Sequence, residues 1–379
     1  GALGASTTLA PAFAGPVTAE RPDARLVVVV LRGGMDGLGA VPAHGDPRYR
    51  SVRGDLALPG PGESGGVLDL DGTFGLHPAL ARLKPLYDAK SLLVAHAVAQ
   101  PYRERSHFDA QNVLETGADR PHATHSGWLS RALHDHPRSA MAVGKDMPLL
   151  LRGPSPAMSL DPLRKPRPDA SLYRDVAALY AGDEALTRAI AQGMAAQELL
   201  ARHHQGKARR GGKSAQSART VAKMLADPLG PRTAVVSMGG WDTHANQGPR
   251  LARQLADLAE VITSFAEASD PAVWKHTVLV AMTEFGRTVA PNGTGGTDHG
   301  TGGAAFVAGG AVAGGRVLAD WPGLRKSDRL DGRDLRPTLD LRALLKGLLH
   351  DHVAVSKRRL HDEVFPGSPT VAPLGGLIA

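Results

Sequence analysis

Apolar runs that stop abruptly at polar, glycine-rich turns recur along this chain. The stretch Arg25–Leu38, RLVVVVLRGGMDGL, opens with a β-branched run that ends in a double glycine, which predicts a buried parallel strand with Asp36 just beyond its carboxyl end. SLLVAHAV (residues 91–98), RTAVVSM (232–238) and HTVLVAM (276–282) predict three more strands of this kind, and GAAFVAGG (303–310) a weaker fifth. Between them, residues 183–204, 248–269 and 338–352 repeat apolar positions at three- and four-residue spacing, the period of helices with one buried face. Strands alternating with helices predict an α/β fold with a mostly parallel central sheet and helices on both faces. Ligand sites in such folds form outside the carboxyl ends of the strands, where the loaded turns converge.

The length of 379 residues with no evident linker fits one large domain over residues 25–379, preceded by a tail over residues 1–24. Residues 150–173 are proline-rich and read as an irregular excursion; no internal repeat stands out. The tail is small and apolar with Ala12-Phe13-Ala14, which fits the end of an export signal. No other stretch is apolar enough over sufficient length to span a bilayer. The expected location is periplasmic or extracellular.

Composition narrows the chemistry. The hydrophobic fraction of 42% supports a packed core, and 4% aromatics argue against a base-stacking platform. The net charge of +7 mildly favours anionic solutes. Much of that excess sits in HHQGKARRGGKSAQSAR (203–219), which has no apolar period and reads as a solvated basic loop rather than a nucleic-acid patch. With no cysteine, any metal must be held by oxygen and nitrogen.

The polar turns carry the candidate chemistry: Asp36; Arg105, Ser106, His107 and Asp109; Asp242 and His244; Glu284, Arg287, Asp298 and His299. Carboxylates gathered without matching cations repel one another, and a divalent ion removes that cost. Carboxylate and imidazole from separate loops suit zinc or manganese, with calcium a further option. Ordinary roles compete at each position. Asp36 could cap a turn, Ser106 with Asp109 fits a helix cap, Glu284 could pair with Arg287, and Asp298-His299 could form a turn. Asp242 and His244, two residues apart directly after a strand, are hard to explain by packing. His44, His77, His96, His122 and His125 lack such a setting and read as structural or surface groups.

In order, VVVVLRGGMDGL, RSHFDAQ, GGWDTHANQ, TEFGRT, GTDHG and GGRVLADWPGL resemble a secreted, sulfatase-like branch of the alkaline phosphatase and sulfatase superfamily, whose members are often exported by the twin-arginine route. The resemblance implies a central sheet carrying two neighbouring metals with a hydroxyl nucleophile between them, and this chain's departures from the pattern leave one or two ions expected. It assigns Asp36 to the aspartate after the first strand and Ser106 to the nucleophile. Asp242, His244 and His299 correspond to one metal's ligands, and Glu284 falls where an Asp-His pair serves the other. That pair is replaced by Glu284-Phe285, with His107 or Asp109 as possible compensation. No CxPxR-like motif is present, so phosphate is favoured over sulfate.

The expected function is a metal-dependent hydrolase of phosphate or related anionic esters, small or glycan-borne. Ser106 or a metal-bound water would attack, with Arg287 or Arg105 clamping the anion. Rival readings are an exported non-catalytic binding or assembly protein, a phosphoryl-transfer or isomerase enzyme, and a sulfatase.

Overall fold

A computed structural model describes residues 23–134, 140–165, 171–180, 182–204 and 212–379. Most of the N-terminal tail, residues 166–170 of the proline-rich stretch and residues 205–211 of the basic stretch lie outside the described residues.

Among the described residues the main sheet has nine strands. They are β1 (Arg25–Leu31), β2 (Leu92–Ala99), β3 (Ala140–Val143), β4 (Ala157–Leu160), β5 (Thr233–Met238), β6 (Thr277–Thr283), β7 (Gly303–Ala308), β8 (Arg316–Leu318) and β9 (Leu339–Asp340). Eight of them lie in the order β8-β2-β7-β6-β1-β5-β3-β4, and β9 pairs with β2. Strand β1 sits between β5 and β6, parallel to both, with Val28 opposite Val235 and Val280. Every residue of β1 is buried, as a strand covered on both faces requires.

Strand β7 runs antiparallel to both neighbours, β2 and β6. Its chain enters from the loop after β6 without a crossover helix, and only an antiparallel return is open to such a connection. The architecture is therefore α/β with a mixed, mostly parallel sheet. The amino end of β7 lies at the same edge as the carboxyl ends of its neighbours. Four loaded loops emerge along that edge.

The principal helices are α1 (His107–Thr116), α2 (Glu184–His203), α3 (Lys213–Ala226), α4 (Gln247–Ala268) and α5 (Leu341–Asp351). Alternation along β1 divides the core. Val27, Val29 and Leu31 pack with Leu199 of α2, Val221 of α3 and Leu255 of α4. Leu26, Val28 and Val30 pack with Leu114 of α1 and Leu344 of α5. Each such aliphatic side chain contributes roughly 1.5–3 kcal/mol on full burial, so the sheet is a rigid base for its loops.

Two expectations need correction. The excursion over residues 150–173 contains β4, an edge strand paired with β3 alone among the described residues. A four-residue strand beside prolines is too short to leave a period in sequence. The basic stretch 203–219 is not one loop: α2 reaches His203 and α3 begins at Lys213. Ala215, Ala218, Val221 and Ala222 supply the apolar face of α3, and its small alanines hid the period.

Candidate metal centre

The turn after β1 sets the geometry of the edge. Gly33 has φ +123° and Gly34 φ +73°, and a Cβ at Gly33 would meet the Asp242 backbone nitrogen at 2.5 Å. Glycine alone permits both the conformation and that approach. The loop carrying Asp242 therefore packs directly on the β1 turn. The Gly33 backbone N–H also donates to Glu284 Oε1 at 2.8 Å, tying in the loop after β6.

Three imidazoles surround the Asp242 carboxylate. His244 Nε2 lies 3.0 Å and His299 Nε2 3.3 Å from Asp242 Oδ1, while His107 Nε2 lies 3.5 Å from Oδ2. His244 Nε2 and His299 Nε2 are 3.0 Å apart. His107, Asp242 and His299 each offer a donor atom within 4.8 Å of the other two, a grouping that could hold a metal ion.

The Nδ1 atoms of all three rings face acceptors. His107 Nδ1 donates to Glu284 Oε1 at 2.9 Å, His244 Nδ1 to Asp298 Oδ1 at 3.1 Å, and His299 Nδ1 to the Arg105 carbonyl at 2.8 Å. These acceptors fix the neutral rings as Nδ1–H tautomers, with the Nε2 lone pairs turned toward Asp242. His107 Nε2 is buried and, among the described residues, makes no hydrogen bond of good geometry, with Asp242 Oδ2 at 3.5 Å its nearest charged neighbour. A buried imidazole nitrogen left unmatched while its other nitrogen is held by a carboxylate is the arrangement of a metal-ligating histidine.

Charge follows the geometry. Burial works to raise the Asp242 carboxyl, but the Arg287 hydrogen bond and charge, with His244 and His107 alongside, hold it below the ordinary value. Burial likewise opposes Glu284, and hydrogen bonds from His107, Gln111 and Gly33 outweigh it and keep the group anionic. His299 is lowered, chiefly by burial. The Glu284 hydrogen bond raises His107 against its own burial.

The remaining sequence candidates take other places. Asp36, expected as a ligand, is 1% exposed. Its Oδ2 is bonded by the buried Arg53 guanidinium and by Gln247 Nε2 at 2.6 Å. To reach a metal it would have to abandon a buried ion pair, which is costly.

Glu284, also expected as a ligand, accepts from Gly33, His107 and Gln111 on Oε1 and from Thr283 on Oε2. It orients His107 from behind. Phe285 supplies no imidazole and instead packs its ring 4.8 Å from that of His107 and 4.9 Å from that of His299.

Arg287, expected as an anion clamp, has 0% side-chain exposure and donates to Asp242 Oδ1 at 2.8 Å. Its Nε donates to Thr297 Oγ1 at 3.2 Å. A guanidinium with no open face positions Asp242 and cannot grip a substrate. The Arg105 side chain pairs with Asp334 at 2.8 Å, so its contribution is the carbonyl that holds His299. Asp109 faces Tyr102 and His122, and Asp298 orients His244. Ser106 is the N-cap of α1 without a capping side-chain bond, one residue before His107.

Sequence reading missed Gln111, Arg53, Gln247, Asn292 and Asp334. Only Gln111 left a local signal, four residues after His107 on one helix face. Gln247 bridges the two aspartates indirectly: it donates to Asp36 and accepts from Thr243 and Thr297, the latter also bonded to Arg287.

Residues 93–362 match the family model described as "Protein of unknown function (DUF1501)". The chain belongs to that family. No curated protein matches it in sequence. Among solved structures it is similar to the C-terminal periplasmic domain of EptC from Escherichia coli in complex with zinc, at 9% identity, 76% coverage of this chain, 74% of that chain and a TM-score of 0.34. It is also similar to the phosphonate monoester hydrolase of Agrobacterium radiobacter, at 10% identity, coverages of 77% and 70% and a TM-score of 0.35. A Bacteroides thetaiotaomicron protein from a locus for glycosaminoglycan metabolism gives 8% identity, coverages of 79% and 69% and a TM-score of 0.40. Among the described residues, no helix is long and apolar enough to cross a membrane.

Proposed function

We propose that the chain is an exported, metal-dependent hydrolase of phosphate esters or related anionic esters, acting at His107, Asp242, His244 and His299. One observation carries the reading: three Nδ1–H groups are bonded outward, leaving three Nε2 atoms around one carboxylate. The nitrogen-rich donor set favours zinc over manganese and disfavours calcium, which takes oxygen ligands. A bound zinc ion would supply Lewis-acid polarisation of the ester oxygen.

The chain's own residues do the holding. Arg287 keeps Asp242 ionised, Glu284 and Asp298 aim two of the imidazoles, and the Arg105 carbonyl aims the third. Ser106, at the start of α1 with its hydroxyl free of capping, is our candidate for attack on the ester. Support for export is the small-residue stretch around Ala12-Phe13-Ala14.

A second reading, a non-catalytic exported binding protein, is favoured by one feature: Arg105, Arg287 and Arg333 are all engaged with carboxylates. The test is metal analysis of the zinc-loaded protein, paired with turnover of 4-nitrophenyl phosphate, bis(4-nitrophenyl) phosphate and 4-nitrophenyl sulfate. Stoichiometric zinc with phosphate-ester turnover supports the hydrolase. Stoichiometric zinc without turnover of any of the three selects the binding protein, and absence of zinc binding sinks the metal centre itself. Within an active enzyme, full turnover by Ser106→Ala would assign the attack to water.

A further inference from the structure

Away from the histidine cluster, a cavity of about 220 Å³ opens between the sheet and helices α3 and α4. Its floor is apolar, with Val27, Val236, Met238 and Leu279 from the sheet and Val261 and Phe265 from α4. Val236 and Met238, near the end of β5, are only half-buried. Helices packed on a sheet face usually cover such side chains, yet here they line open space. A second cavity of about 320 Å³ adjoins it, and Gly144 and Asp161 line both.

The rims are basic. Lys213 stands at the mouth of the first cavity, and Lys145, Arg164 and Lys165 at the second. All four are exposed, and none makes an ion pair among the described residues. Among the described lining residues Asp161 is the one carboxylate, and it accepts from the Leu163 backbone N–H. Ser214 in the first turn of α3 and Ser217 one turn later also line the first cavity, and among the described residues Gly212 caps that helix without a side-chain hydrogen bond.

We propose that the two cavities form one binding site for a single-chain amphiphilic anion, its hydrocarbon in the apolar cavity and its carboxylate or phosphate head among the four cations. An apolar pocket with a few convergent polar groups at its mouth is the usual form of a small-molecule site. Charge complementarity selects the head, since an uncharged amphiphile would leave four unpaired cations as they are. The proposal stands apart from the hydrolase reading and shares no residue with it.

Isothermal titration of the whole protein with octyl phosphate, octanoate, octyl glucoside and inorganic phosphate tests it. Binding of octyl phosphate or octanoate at least tenfold tighter than both octyl glucoside and inorganic phosphate is expected, and comparison of the first two identifies the preferred head. Replacing Lys145, Arg164, Lys165 and Lys213 together by Gln should weaken the anionic amphiphiles at least tenfold. Val236→Phe, which fills the cavity from a half-open position, should do the same with zinc content unchanged. Equal affinity for octyl glucoside, equal affinity for inorganic phosphate, or full binding by either variant would overturn the proposal.

Discussion

Two turns in this molecule share one local pattern and meet different fates. The turn after β1 contains Gly33-Gly34-Met35-Asp36, and that after β5 contains Gly239-Gly240-Trp241-Asp242. In both, a glycine adopts positive φ and the large apolar residue is fully buried. Yet the Asp36 side chain is 1% exposed and locked to Arg53, whereas that of Asp242 is 44% exposed and ringed by imidazoles. Similar local chemistry yields a buried strut in one place and a potential ligand in the other. The neighbours decide: Arg53 arrives from the segment after β1, whereas His107 arrives from the start of α1 and His299 from the loop after β6, joining His244 of the same loop as Asp242.

The largest expected effect lies at Asp242. If it centres a metal site, Asp242→Ala, His244→Ala and His299→Ala should each remove most bound zinc and lower phosphate-ester turnover by orders of magnitude, measured by metal analysis and initial rates. Unchanged zinc content in all three would erase the distinction between the two turns.

The strut should fail differently. Arg53→Met leaves the Asp36 carboxylate buried without its partner and should cost about 3–5 kcal/mol in denaturant unfolding. The metal-free Asp242→Asn protein alters a half-exposed group and keeps an amide oxygen that can still accept from the buried Arg287 guanidinium, so it should lose less. Comparable losses would mean that Asp242 is also a folding element.

Acid should act on the Asp36 side. His77 and His96 are both held near pKa 4, chiefly by burial and against the attraction of Asp36. His96 is satisfied as a neutral ring, bonded to the Val41 carbonyl and accepting from the Ala97 N–H. Between pH 6.5 and 4 the unfolded chain binds protons at these positions that the folded one refuses. Stability is therefore complete above about 6.5 and falls toward 4, on the order of 2–3 kcal/mol for each ring. His96→Gln should flatten that slope in metal-free unfolding curves across the pH window, and an unaltered slope would remove His96 from the account.

Glu284→Gln probes the support of His107. Loss of the carboxylate behind a ligating imidazole should weaken zinc affinity about 10–100-fold by competition titration. A complete loss of zinc would instead make Glu284 a direct ligand.

Smallest of all is the effect of Ser106→Ala on stability. Its side chain makes no capping bond, so the change should stay under about 0.5 kcal/mol, well below a usual cap deletion. A larger loss in thermal melts would show that the hydroxyl is structural.

The strand runs and the helical period were legible in sequence because each buried element repeats its apolar pattern locally. Legible too was the set of acids and histidines in post-strand turns, since a polar cluster after a buried run has no packing use. What the sequence by itself determined, then, was the α/β class, the main strands and the pool of donor residues. Tertiary structure alone decided which donors meet. It paired Asp36 with Arg53, turned Glu284 behind His107 and withdrew Arg287 beneath Asp242. Those outcomes depend on contacts between loops tens to hundreds of residues apart, and no local period or spacing encodes which of two like-charged groups a buried arginine will reach first.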